Sequence, residues 1–280
     1  MKIGFIGAGR MGRPMVHRLV AAGHDATVLV RSPDGKFGSA AEHLTCAETV
    51  AATVRDAEVV FSVVLTDEQV RSVFLGSDGA LASMRPGTTL VQHTTSNPTT
   101  ALMLAEAGVA KGIRVLDPAL SGGPHDIAEG KLTHWVGGDE AVLEEIRPLL
   151  ETYASPVMYV GTLGNGQRVK LVNNALFVAQ VGLAIDAVRL AGSLRIDEES
   201  ILAALPHGSG ANRGLSVVAS GGSVDAVADR LSDLMGKDIA AVREVAESTG
   251  VILGIIGTVL SSNVVAEKVL GPGDATDQRS

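Results

Sequence analysis

Lys2-Ile3-Gly4-Phe5-Ile6-Gly7-Ala8-Gly9-Arg10-Met11-Gly12 is the stretch on which the architecture of this chain turns. Its first half is a short apolar run and predicts a strand at Lys2–Ile6. Its second half is a G-x-G-x-x-G motif that follows the strand and opens a predicted helix at Met11–Ala22, the context in which that spacing binds a dinucleotide. Each glycine has its own reason: Gly7 for a tight turn, Gly9 for close approach of the backbone to a pyrophosphate, Gly12 for close packing of helix on sheet. With Ala8, Arg10 and Met11 between them, they lead into a helix N-terminus whose free N–H groups face an anion.

Outward from this motif, β-branched runs alternate with helical stretches as far as about Val160. Strands are predicted at Ala26–Val30, Val59–Val64, Thr88–His93, Arg114–Asp117, Thr133–Val136 and Val157–Tyr159, and helices at Asp67–Phe74, Pro98–Lys111 and Asp139–Thr152. Uniformly apolar strands separated by crossover helices make a parallel sheet covered on both faces, so residues 1–161 read as a Rossmann domain of the α/β class. After Gly161 the strand signal stops, and residues 162–280 read as an all-helical domain broken by glycines at Gly208–Gly214 and Gly221–Ser223.

The first of these helices, about Gln167–Leu194, is apolar nearly all round and must be enclosed on most sides. A second, from about Val251 to Leu270, has the same character, and Gly271–Ser280 reads as a polar tail. So much apolar surface in a small helical domain predicts a homodimer or homotetramer.

Composition narrows the function classes. Of 280 residues, 46% are hydrophobic and 19% charged, which excludes a disordered chain. The net charge of −8 carries no basic cluster, against a nucleic-acid surface. No export signal precedes the first strand, the apolar run Val251–Leu260 is too short to span a bilayer, and the single Cys46 cannot form an internal disulfide. The expectation is a cytoplasmic protein with no membrane or nucleic-acid partner. His125 and His134 stand alone in sequence, with no ligand-spaced partners, so no metal site is expected.

The second strand ends at Val30, where NAD-binding folds place an acidic residue for the ribose hydroxyls. Arg31 and Ser32 stand there instead, with Lys36 nearby. A guanidinium and a hydroxyl suit a 2′-phosphate, which favours NADP(H) over NAD(H); the alternative is that Asp34 holds the ribose.

Three further segments are Asp117-Pro118-Ala119-Leu120-Ser121-Gly122-Gly123, the run from Gly161 to Asn174 with its G-x-x-G-x-G-x-x-x-K-x-x-N-N pattern, and Gly236-Lys237-Asp238. In this order they resemble the β-hydroxyacid dehydrogenase family, whose members include 3-hydroxyisobutyrate dehydrogenase and the glyoxylate and tartronate semialdehyde reductases. The resemblance implies a Rossmann domain followed by a 6-phosphogluconate dehydrogenase-like helical domain. It also implies hydride transfer between NAD(P)(H) and a small β-hydroxyacid or its semialdehyde.

The residues of these segments suit that chemistry. Ser121, Gly122 and Gly123 offer a hydroxyl and two unhindered amides to a substrate carboxylate. Lys170 and Asn174, one helical turn apart, point the same way. Hydride transfer leaves charge on oxygen, so a proton donor is needed within reach of it. Lys170 is that donor and in reverse the acceptor, its pKa brought down by desolvation and by neighbouring Arg168, while Asn174 orients the substrate oxygen. By resemblance, Lys237 reaches cofactor and substrate, Thr94-Thr95 lie near the nicotinamide ribose, and the Val64-Leu65-Thr66 strand end is another cofactor-contacting edge.

The chain also departs from the family pattern, with Gln92 where an aspartate is common, Leu65-Thr66 for Leu-Pro, and Asp126-Ile127, beside His125, for Gly-Ala. These changes bear on which acid fits rather than on the chemistry. An imine reductase on the same scaffold is the nearest rival, disfavoured by Lys170, and a non-catalytic NADP(H)-binding protein is the reading from another class.

Overall fold

The computed structural model describes residues 1–30 and 42–262. The elements run β1 (Lys2–Ile6), α1 (Gly12–Ala21), β2 (Asp25–Leu29), β3 (Leu44–Ala47), α2 (Val50–Val54), β4 (Val59–Ser62), α3 (Asp67–Phe74), α4 (Ala80–Ser83), β5 (Thr89–Gln92) and α5 (Pro98–Gly108). There follow β6 (Arg114–Ser121), α6 (Pro124–Glu129), β7 (Leu132–Gly137), α7 (Glu140–Leu150), β8 (Ala154–Tyr159) and the long α8 (Asn165–Ser193), then α9 (Glu198–Ala204), α10 (Arg213–Ser220), α11 (Val224–Thr249) and α12 (Gly254–Leu260).

The strands form one sheet in the order β3-β2-β1-β4-β5-β6-β7-β8. The first six follow the doubly wound Rossmann order. The sheet is parallel as expected except at one step: β6 and β7 pair antiparallel, and β7 and β8 parallel again. The expectation also lacked β3 and the short helices α2, α4 and α6, and it ended β6 at Asp117 where the strand runs on to Ser121.

Alternate residues of each central strand serve opposite faces. Ile3, Phe5, Val59, Phe61, Val91 and Leu116 pack with Met15 and Leu19 of α1 and Leu143 and Ile146 of α7. Ile6, Val60, Leu90 and Val115 pack with Val70 and Phe74 of α3 and Leu104 of α5. Each such fully buried aliphatic or aromatic side chain contributes about 1.5–3 kcal/mol relative to exposure, so both faces are held mainly by apolar burial. The helices around the sheet are started by side-chain caps at Thr49, Thr66, Asn97 and Asp139.

One compact unit runs from Met1 to Lys170, and a second begins at Leu171. In the second, Leu171, Val178, Val181 and Ile185 of α8 pack with Leu202, Leu215, Val218, Val227, Ile239, Val242 and Leu260 from the four helices that follow. Gly214, at the start of α10, lies so close to α8 that a Cβ there would stand 2.6 Å from Gln180. By length and composition alone α8 could cross a membrane, yet 56% of that stretch is buried inside the protein, as in a core helix. Its enclosure within one chain is incomplete: Val172, Leu176, Leu183 and Leu190 are exposed. The tail expected at Gly271–Ser280 and the helix residues beyond 262 lie outside the described residues.

Candidate active site

The glycine turn has the geometry its spacing implies. Gly7 has φ of +100°, and a Cβ there would stand 2.1 Å from the Val63 carbonyl. A Cβ on Gly12 would stand 2.2 Å from the Gly7 carbonyl and 2.8 Å from the Phe5 ring. Gly9 differs: a Cβ there meets nothing within 4 Å, so no protein contact requires glycine at that point. The space beside Gly9 is open. Gly9 and Arg10 are exposed, and Ala8 and Met11 half-buried. α1 has neither a side-chain cap nor an acidic residue in its first turn, so no carboxylate competes there with an anion; the Arg13 amide donates to the Gly9 carbonyl at 2.9 Å and Pro14 has no N–H. These features fit the pyrophosphate of a dinucleotide.

The neighbouring strand ends are tied together. The Thr94 hydroxyl accepts the Val64 amide at 2.9 Å, joining the Val64-Leu65 edge to the Thr94-Thr95 segment after β5. The Leu65 amide donates to Gln69 Oε1, and the Leu65 side chain is exposed. Arg31, Ser32, Asp34 and Lys36 lie outside the described residues.

At the end of β6, Ser121 is half-buried and its hydroxyl makes no hydrogen bond among the described residues. Gly122 has φ of +127°. The Gly123 amide donates to Asp126 Oδ2 at 2.6 Å, capping α6. Of the two glycine amides expected to face a substrate carboxylate, that of Gly123 is engaged here by Asp126, one of the departures from the family pattern.

α8 enters the Rossmann unit by its first turn. The Gly164 amide donates to Asp117 Oδ1 and the Gln167 amide to Asp117 Oδ2, each at 3.0 Å. The Asp117 side chain is wholly buried, and desolvation pushes its carboxyl up to about 6 against the pull of the two amides. Gln167 Oε1 accepts the Ser96 amide at 3.0 Å, and Ser96 Oγ accepts from Gln92 Nε2 at 2.9 Å, so Gln92 belongs to a buried polar network that reaches α8.

Lys170 is half-buried, and Asn174, one turn on, is buried and accepts from Asn173 Nδ2 at 3.1 Å. Arg168 is exposed and turns back to Asn165 Oδ1 at 2.8 Å. Two residues apart, Arg168 and Lys170 do not share a helix face. Lys237 lies on α11, its side chain outside the described residues.

No group of three or more metal-ligating side chains occurs among the described residues. His134 is nevertheless not isolated. Its ring lies 5.1 Å from that of His93 and 5.4 Å from that of Tyr153, all three wholly buried. His93 Nε2 pairs with the Tyr153 hydroxyl at 3.0 Å, while neither His134 nitrogen is hydrogen-bonded. Burial holds the His93 imidazole down to about 4 and that of His134 well below its ordinary value, so both are neutral. Their separation along the chain hides this cluster from a reading of local spacing.

Residues 2–161 match the family model described as the NAD binding domain of 6-phosphogluconate dehydrogenase. The chain is 32% identical over 257 residues to an NAD-dependent L-serine dehydrogenase of Pseudomonas aeruginosa, covering 89% of this chain and 86% of that protein. It is also 32% identical over 215 residues to a 3-hydroxyisobutyrate dehydrogenase of the same organism, covering 77% and 72%. Among solved structures, the 3-hydroxyisobutyrate dehydrogenase of Mycobacterium tuberculosis with L-serine superposes with a TM-score of 0.83 at 27% identity, covering 96% of this chain and 94% of that one. Together with the glycine turn and the helix start that carries Lys170, these likenesses show that the chain belongs to the β-hydroxyacid dehydrogenase family of NAD(P)-dependent oxidoreductases.

Proposed function

We propose that this protein transfers hydride reversibly between NADP(H) and a small β-hydroxyacid or its semialdehyde, with Lys170 moving the proton. The observation that carries this reading is the placement of Lys170. It is half-buried, belongs to the compact unit that contains the glycine turn, and stands one helical turn before the buried Asn174.

Gly7, Ala8, Gly9, Arg10, Met11 and Gly12 would hold the pyrophosphate, Thr95 the nicotinamide end, and Val64 and Leu65 another edge of the cofactor. The bound nicotinamide supplies hydride to the carbonyl carbon, or takes it from the carbinol carbon. As hydride reaches carbon, the Lys170 ammonium gives its proton to the oxygen; in the other direction the neutral amine takes the hydroxyl proton as hydride leaves. The Asn174 amide orients that oxygen, and the Ser121 hydroxyl with the Gly122 amide binds the carboxylate. L-Serine and 3-hydroxyisobutyrate, named for the relatives, are both carboxylates bearing a primary β-hydroxyl, so one cradle and one proton relay serve either.

The NADP(H) preference rests on Arg31 and Ser32 at the end of the second strand. The exposed apolar line Val172, Leu176, Leu183 and Leu190 along α8 supports a homodimer or homotetramer. Initial rates with L-serine, 3-hydroxyisobutyrate, tartronate semialdehyde, succinic semialdehyde and a cyclic imine, each with both cofactors, test the reading. Turnover of a hydroxyacid or semialdehyde with a higher kcat/KM for the phosphorylated cofactor is expected. Turnover of the imine alone overturns the substrate class, and equal or better use of NAD(H) overturns the cofactor preference.

A further inference from the structure

We propose that Asp117 is a positioning residue for Lys170: its carboxylate pins the first turn of α8 into the Rossmann unit and so fixes where the Lys170 ammonium stands. The proposal rests on the assignment of Lys170 above. The first N–H groups of a helix have no acceptor within it. At α8 two of them, those of Gly164 and Gln167, end on the two oxygens of one wholly buried carboxylate, each at 3.0 Å.

The surroundings are shaped to admit this contact and little else. A Cβ on Gly166 would stand 1.9 Å from the Asp117 carbonyl, and one on Gly137 would stand 2.4 Å from Asp117 Oδ1. Two glycines are therefore required for helix and strand to approach this closely. Gln167 and Lys170 are three residues apart and share a helix face, so displacement of the pinned turn is carried along a stiff helix to the ammonium. Ser121 lies four residues beyond Asp117 on β6. One carboxylate thus ties the strand that ends in the substrate loop to the helix that carries the proton donor.

Only a carboxylate can accept from both amides. An asparagine would turn its NH2 group against one of them, leaving two donors face to face. The pair is a positioning device, because misplacing a reacting group by about 1 Å costs on the order of a hundredfold in rate.

The test is a double-mutant cycle with NADPH affinity measured alongside. Asp117→Asn is expected to lower kcat by about tenfold or more while the NADPH dissociation constant stays within about threefold. In a Lys170→Ala background the same change should alter the residual rate by less than about twofold, because the group it positions is gone. Multiplicative losses, or an Asp117→Asn enzyme with normal kcat, would overturn the positioning role. An inactive Lys170→Ala enzyme beside a fully active Asp117→Asn enzyme overturns that role alone, whereas normal turnover in Lys170→Ala overturns the assignment of Lys170 itself. Amide hydrogen exchange in the unmutated protein needs no variant to fold. The Gly164 and Gln167 amides should exchange about a hundredfold or more below the free-peptide rate, and exchange at the free rate removes the pin.

Discussion

Adding one methyl group at Gly9 or at Gly12 separates binding from folding. At Gly12 the new Cβ would meet the Gly7 carbonyl at 2.2 Å and the Phe5 ring at 2.8 Å. Phe5 is wholly buried and stacked on Phe61 at 5.8 Å, so neither neighbour has room to give. Overpacking of this kind costs about 3 kcal/mol, or a fall of about 6–12 °C in Tm for a protein of this size. At Gly9 nothing lies within 4 Å and the backbone is not in the left-handed region. Alanine there should leave Tm unchanged or raise it slightly, through the lower entropy of the unfolded chain. The same methyl stands where the pyrophosphate approaches, and NADPH affinity should fall about 10–100-fold, equivalent to about 1.4–2.8 kcal/mol. Thermal melts without cofactor and fluorescence titration with NADPH read the two effects. Should Gly9→Ala melt as low as Gly12→Ala, or bind NADPH as tightly as the unmutated protein, the reasoning about this turn is refuted.

Other expectations follow from the same contacts. Gly166→Ala should lower stability by about 3 kcal/mol in chemical denaturation, because its Cβ would stand 1.9 Å from the Asp117 carbonyl; an unchanged midpoint would show that strand and helix have slack. His134→Phe should stabilise the protein at neutral pH by about 1–3 kcal/mol, since neither buried ring nitrogen is hydrogen-bonded. That advantage should grow as pH falls below about 6.5, by up to about 1.4 kcal/mol per pH unit, because only the unfolded chain protonates this imidazole. Its folded pKa is depressed, so the stability it supports is lost towards acid. For His93, held down to about 4, the full effect is about 3 kcal/mol. The raised Asp117 carboxyl acts in the opposite sense below about 6 but is common to variant and parent, so their difference isolates the imidazole. A pH-independent difference between pH 7 and pH 5 would contradict this. Arg31→Ala should weaken NADPH about tenfold or more and leave NADH almost unchanged; equal loss for both would remove the basis for the cofactor preference.

Much of this fold is legible in the sequence because its determinants are local. The glycine turn, the alternating faces of β1 and β4 and the capped start of α3 each depend on residues within a few positions of one another, and α3 spans the predicted residues. β3 has only four residues, Leu44–Ala47, and is recognised as a strand through its pairing with β2. The antiparallel turn of β7 has no local signature, since it is set by which neighbour Leu132–Gly137 finds.

The site divides in the same way. Lys170 and Asn174 stand out because one helix turn relates them. Asp117 meets partners 47 and 50 residues away. His93 meets Tyr153 at a separation of 60. Neither relation has a spacing to read. The one signal that could have found Asp117 is the density of glycines at 161, 164 and 166, which marks a helix start crowded by something.

The central claim is that Lys170 moves the proton. Steady-state turnover of Lys170→Ala, with its NADPH affinity measured in parallel, tests it most directly. A fall in kcat of about a thousandfold or more with the dissociation constant within about threefold is predicted; turnover within tenfold of the unmutated enzyme would contradict it.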